Sequence, residues 1–173
     1  MSLMADIENG VVSRLIAQWP ADVERIAEFD IADNVNTIPT PGVSVRAFCQ
    51  RFKRTAEGLW TKMIVVQVFL IFKSLRGPRD RRHGAHPIVE AVEQLLAGQT
   101  VGLDIDELSP VRSPEITDKT LREQRKVAFR VDFETGYDVE RLSDAEITNL
   151  LKIAARFIAK PGDDEAESTV EIS

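Results

Sequence analysis

Trp60-Thr-Lys-Met-Ile-Val-Val-Gln-Val-Phe-Leu-Ile-Phe72 is the stretch on which the fold turns. Branched and aromatic residues fill it, and it runs on to a break at Gly77-Pro78, which marks a strand ending in a turn. Val65, Val66, Val68, Phe69, Leu70 and Ile71 put apolar side chains on both faces. A strand of that kind belongs in the middle of a sheet, covered on both sides by its own chain or by an oligomeric partner. Its longest apolar run, Met63 to Phe72 with Gln67 inside it, falls short of the roughly 20 residues that cross a bilayer.

Upstream, Val43 to Phe52 has the same composition, and Lys53 to Leu59, containing Gly58, joins the two as an antiparallel hairpin. Downstream, Val127, Phe129, Val131 and Phe133 alternate with Ala128, Arg130, Asp132 and Glu134, the period of a strand with one face packed and one wet. Leu108 to Ile116 carries Pro110 and Pro114, which confines it to an edge or an irregular strand. Val23 to Ile31 reads as a weak edge strand and Asn34 to Gly42, with Pro39 and Pro41, as a loop. Thr117 to Gln124 is charged and lacks both apolar periodicity and a turn glycine; it is expected to be a flexible arm that orders against a neighbour.

Three helices complete the pattern. Ile7, Val11, Val12, Leu15, Ile16 and Trp19 form an apolar stripe that Pro20 ends. Pro87 suits a first helical position, followed by Ile88, Val89, Val92, Leu95 and Leu96 and a stop at Gly98. Ser143 and Glu146 have capping-box spacing and Leu142 and Ile147 can staple the entry; Ile147, Leu150, Leu151, Ala154, Phe157 and Ile158 then form a stripe. Hairpins in place of regular strand and helix alternation predict an α+β sandwich with helices on one sheet face. The expectation is a single domain over 1–160, with 143–160 as its last helix and 161–173 as a disordered acidic tail. There is no internal repeat.

The formal charge is −6, but Asp163, Asp164, Glu165, Glu167 and Glu171 lie in the tail with no Lys or Arg after Lys160, so the body is close to neutral. That balance argues against a general affinity for nucleic acid, which needs a concentrated positive face. The start, Met-Ser-Leu-Met and then acidic Asp6 and Glu8, is unlike a secretory signal. A single cysteine, Cys49, inside a predicted strand is expected to be a buried small hydrophobe in a reducing, cytoplasmic compartment.

Candidate chemistry is sparse. His83 and His86 have H-x-x-H spacing, yet nothing nearby completes a metal set, and the entrance of a helix at Pro87 accounts for them. Catalysis by Cys49 would need a histidine in reach, and Asp104/Asp106 and Asp163/Asp164 read as solvated acidic runs. Glycine-rich phosphate loops of either common spacing are missing from the sequence. No enzyme activity and no cofactor are therefore expected. The remaining feature is basic: Lys73, Arg76, Arg79, Arg81 and Arg82 against Asp80. One reading is a solvated loop between strand and helix. The other is a contact surface formed by Arg76, Arg79, Arg81 and Arg82 for an acidic protein or for passing DNA. No aromatic residue lies between Lys73 and Pro87, which removes the stacking used to read single strands and makes sequence-specific binding unexpected.

Met63-Ile-Val-Val-Gln-Val-Phe-Leu-Ile-Phe-Lys-Ser-Leu-Arg76, Arg82-His-Gly-Ala-His-Pro-Ile-Val-Glu-Ala-Val-Glu-Gln-Leu-Leu96 and Val127-Ala-Phe-Arg-Val-Asp-Phe-Glu-Thr135 together resemble Mu-like phage and prophage tail proteins of the tail-terminator type. The resemblance spans much of Met4 to Tyr137 and leaves the helix from Ser143 as an addition. It implies a domain similar to the lambda tail terminator, with a twisted antiparallel sheet packed against helices. It further implies a hexameric ring that caps the tail tube, with itself, the tube or sheath protein and the head-tail connector as partners. The expected places are the bacterial host cytoplasm during assembly and then the virion tail. Beside this stand two other expectations: a nucleic-acid accessory module using Arg76 to Arg82, and a small cytoplasmic enzyme with a site between subunits.

Overall fold

The computed structural model describes residues 3–19, 29–30, 38, 40–55, 59–73, 78–139 and 144–158, with side chains at 29–30, 78–83 and 153–158 outside the description. In chain order the elements are α1 (Leu3–Gln18), β1 (Phe29–Asp30), β2 (Gly42–Arg54), β3 (Trp60–Lys73), α2 (Pro78–Leu96), β4 (Ser109–Arg112), α3 (Lys119–Glu123), β5 (Lys126–Val139) and α4 (Asp144–Ile158). The chain divides into two compact units, Met1–Val139 and Glu140–Ser173. α4 falls in the second unit.

The first unit is an α+β fold built on a sheet of order β1-β2-β3-β5-β4. Four strands are antiparallel; two-residue β1 adds in parallel beside Val43 and Ser44. β3 is the central strand, as its apolar run requires. It pairs with β2 from Gly42↔Ile71 to Arg54↔Trp60 and with β5 from Lys73↔Lys126 to Trp60↔Val139. β4 is the irregular edge that its prolines predict, with a register shift between Pro110 and Arg112. Of the weak strand expected at Val23 to Ile31, Phe29 and Asp30 are described, and they form an edge. The rest of that segment and most of the 34–42 loop lie outside the described residues.

Cross-strand register assigns the two faces. Ile64, Val66, Val68 and Leu70 of β3 align with Val43 and Val45 of β2 and with Phe129, Val131 and Phe133 of β5. All are buried in one cluster with Ile7, Val11 and Leu15 of α1 and Ala85, Val89, Val92 and Leu96 of α2. Each such side chain contributes about 1.5–3 kcal/mol by leaving water, so this layer supplies most of the driving force. α1 uses the 7, 11, 15 line of its predicted stripe. Ile16, a quarter turn away, is 53% exposed. α1 also protects the sheet edge: the Glu8 carboxylate, buried in the helix, accepts the Ala47 backbone N–H at 2.7 Å.

The opposite face corrects two expectations. The expected wet face of β5 is half covered: Ala128 and Asp132 are buried as thoroughly as their apolar neighbours, while Arg130 and Glu134 stay half-buried. Asp132 is covered by its own polar partners, and Ala128 because 117–124 is no flexible arm but the site of α3, which lies over Phe69, Ile71 and Ala128 with Ile38 and Ile116. Asp118 caps α3 by accepting the Leu121 N–H at 2.8 Å, and Leu121 is its buried anchor. One apolar residue in a five-residue turn leaves no periodicity for sequence reading to find. Helices are therefore not confined to one side of the sheet. Replacing Asp118 by alanine should cost about 1 kcal/mol, the usual worth of an N-cap. The check is faster hydrogen exchange at the Leu121 amide, with the strand amides of β3 unchanged.

α2 corrects a third. It begins at Pro78, not at Pro87, which sits inside it. Pro78 occupies the favoured first position, and the polar Arg79-Asp80-Arg81-Arg82 turn has no apolar stripe to announce a helix. The basic cluster is accordingly the opening of a helix and not a loop. The predicted stop is present: Gly98 adopts φ +72° and its N–H bonds Leu108 O at 2.9 Å.

In the second unit, α4 realises the helix expected from Ser143, and Ile147, Leu150 and Leu151 are exposed on it. The acidic tail 161–173 lies outside the described residues.

Candidate contact surface

Strand length sets up the surface. β2, β3 and β5 have 13, 14 and 14 residues, or about 45 Å at 3.3 Å per residue. α1 and α2 have 16 and 19 residues, about 24 and 28 Å, so the helix layer cannot cover the strands end to end. At the β2–β3 turn the sheet runs past it. The turn is closed by Thr55 N–H to Leu59 O at 2.8 Å, and Phe52, Leu59 and Trp60 are 55, 51 and 50% exposed. A bulge between Cys49 and Arg51, opposite Ile64 and Met63, shifts the alternation of β2 and brings Phe52 to the helix-side face. There Phe52, Trp60 and Val139 line an open apolar hollow.

Cations surround it. Arg51, Lys53 and Arg54 are exposed along β2, and no described acidic residue pairs with them. Lys62 stands over Tyr137, Nζ 5.9 Å from the ring centroid; further back along β2 and on the opposite face, Arg46 lies over Phe48 at 5.1 Å. Glu57, the lone acid of the hairpin sequence, lies outside the described residues. The far side of the same overhang is acidic. The loop holding Asp104, Asp106 and Glu107, all exposed, docks on β5 through Asp106 N–H to Gly136 O at 2.7 Å and Thr135 Oγ1 to Asp106 O at 2.5 Å. Gly136 permits that approach, since a Cβ there would stand 2.9 Å from Asp106 Oδ2. Asp138 adds a further exposed carboxylate, accepting from Thr61 Oγ1 at 2.7 Å.

Between these edges, on the face away from α1 and α2, Asp132 gathers a polar network. It is 3% exposed and accepts from Gln67 Nε2 at 3.1 Å, Arg112 Nε at 2.8 Å and Arg130 Nη2 at 2.9 Å. Arg130 Nε lies 2.8 Å from Asp132 Oδ1 but is not aligned to donate, and is left without a partner. A hollow beside it is lined by Phe48, Gln50, Val65, Gln67, Val111, Arg112, Asp132 and Glu134. The carboxylate there is fully engaged by cations, an arrangement that locks strands together.

The sequence-predicted residues fare differently. Arg76 lies outside the described residues; Arg79, Arg81 and Arg82 fall in the first two turns of α2 with their side chains undescribed. His86 packs edge-on against Phe129, centroids 5.4 Å apart. Among the described residues no group of three or more His, Cys, Asp or Glu could hold a metal. Cys49 is half-buried, not buried as expected, because β2 is leaving the helix layer at that point. Asp104 and Asp106 are on the exposed loop just described. What sequence reading missed is the hairpin end. The signal was there: Arg51, Lys53, Arg54 and Lys62 interleaved with Phe52 and Trp60, the basic and aromatic mixture sought only between Lys73 and Pro87.

Among the described residues no helix is long and apolar enough to cross a membrane. No curated protein matches the chain. A family model described as Bacteriophage Mu, Gp37 matches residues 5–138, from α1 to the penultimate residue of β5, and stops before α4. With that match covering nearly the whole first unit, the chain belongs to the Bacteriophage Mu Gp37 family and is a phage protein.

Proposed function

We propose that this protein is a structural assembly component of the phage tail, of the terminator type: a ring of identical subunits, six in the expected form, that caps the tail tube and meets the head-tail connector. It acts by contact, with no turnover and no cofactor. The observation that carries this reading is the overhang of β2, β3 and β5, whose apolar end at Phe52, Leu59, Trp60 and Val139 no described part of the first unit covers. Aromatic residues amid cations, desolvated on binding, are what protein interfaces are made of. The described cavities support the same reading. One is an apolar groove between α1 and α2, lined by Gln18, Trp19, Pro87, Ile88, Ala91, Val92 and Leu95. In the hollow beside Asp132 that residue's carboxylate is held by Arg112 and Arg130, which ties it to the sheet; Glu134 also lines the hollow.

The test is sedimentation of the purified protein over a wide concentration range, alone and with its tube protein, followed by electron microscopy. The expected result is a closed ring and tubes that stop growing with density at one end. Monomeric behaviour at every concentration, with tube protein present, overturns it.

A further inference from the structure

We infer that neighbouring copies of this chain join head to tail through opposite edges of the sheet overhang, the cationic β2 edge of one copy against the acidic β5 edge of the next. The inference rests on the ring reading above and names the surfaces that make the ring.

Three observations lead to it. First, both edges are open. β1 pairs only with Val43 and Ser44 and Glu8 serves only Ala47, so from Cys49 to Arg54 no described strand lies outside β2. On the other side β4 pairs no further than Ser109↔Glu134, and the 104–107 loop reaches Thr135 and Gly136, leaving Tyr137 to Val139 without an outer strand among the described residues. Open edges of this length invite another chain. Second, the edges carry opposite charge. Arg51, Lys53 and Arg54 stand on one, and Asp104, Asp106, Glu107 and Asp138 on the other. No described ion pair joins the three cations to this chain's own acids. Like edges of two copies would repel and unlike edges attract, which selects a heterologous over a two-fold contact. Third, the directions agree. β2 and β5 are both antiparallel to β3 and so run the same way. Copies related by rotation about an axis along the strands therefore present a β5 edge to a β2 edge at every step, the repeat that a closed ring requires.

The experiment is a charge swap in the full chain, read by sedimentation velocity and by thermal melting of each variant. Reversing the basic edge with Arg51→Glu and Lys53→Glu should weaken self-association by roughly 10-fold or more, and so should Asp104→Lys with Glu107→Lys. All four are exposed, so the melting transition should stay in place. The variant carrying all four substitutions restores opposite charges across the contact and should recover most of the association, with the salt sensitivity of the native protein. Loss in each pair with recovery in the combination supports the inference. Unchanged association in both pairs, or loss with no recovery in a combination that still melts natively, overturns it while leaving a ring formed through other surfaces. A native chain that stays monomeric with tube protein present removes the ring reading and this contact with it.

Discussion

Phe133→Ala should destabilise the first unit by about 4 kcal/mol, the middle of the range for emptying a buried aromatic position. Phe133 is the bulkiest of the fully buried side chains, at 0% exposure. It aligns with Val66 on the central strand and belongs to the cluster that unites α1, α2 and the sheet. The cavity would open in the layer that holds helices to strands, where rigid neighbours on β3 limit relaxation. A shift of that size is a large fraction of the stability of an ordinary domain. The measurement is the denaturation midpoint of the alanine variant beside Phe133→Leu, which keeps most of the volume and should lose well under half as much. A loss below about 1 kcal/mol for alanine, against the range for buried aromatics, would falsify the view that this face is the stabilising layer.

That layer was legible because its signals repeat. Alternation at Val127, Phe129, Val131 and Phe133, the two-sided apolar run of β3 and the 7, 11, 15 line of α1 each repeat their signal several times, and each was found. What escaped depends on single residues. α3 hangs on Asp118 and Leu121, and the true start of α2 on Pro78, with a second proline nine positions on drawing the boundary to itself. The wet face assigned to β5 failed at Ala128 for the same reason: the cover comes from a segment whose own sequence is polar. Alternation reports what a strand can expose, and only tertiary packing decides what it does expose.

The contact surface was harder still. Neither strand of the hairpin end advertises a site alone, since a cation every other residue is ordinary at an edge. Its character comes from register and length together. The bulge at Gln50 decides that Phe52 joins Trp60 and Val139 on one face, and the shortness of α1 and α2 relative to β2, β3 and β5 decides that the helices leave them uncovered. The family match runs to the penultimate residue of β5, so all of the overhang but Val139 lies within the matched segment, whereas the apolar stripe of α4 is beyond it. A surface built into the shared domain is the natural place for the contact that the proposed ring requires.

Asp132→Ala carries the second large effect, about 3 kcal/mol, at the lower limit for breaking a buried ion pair because Arg112 is 65% exposed and water can take over its charge. Removal leaves the Gln67 amide without its acceptor and the Arg130 guanidinium, 23% exposed, without a counter-charge. Each is costly in a place that water reaches poorly. The damage should be directional. Arg112 is on β4 and Gln67 on β3, and both meet Asp132 on the strand between them, so the carboxylate ties the short edge strand to the centre of the sheet. β4 has only three register pairs with β5, which makes it the first element to loosen. Hydrogen exchange should therefore rise at β4 and at Arg130 before the β2–β3 pairing is affected, with a lower denaturation midpoint overall. Pairing Asp132→Ala with Arg130→Met and Arg112→Met should return much of the loss, because replacing every charged partner costs far less than orphaning some of them. If the triple variant is no more stable than Asp132→Ala alone, uncompensated charge is not the source of the effect, and packing around the strand must be.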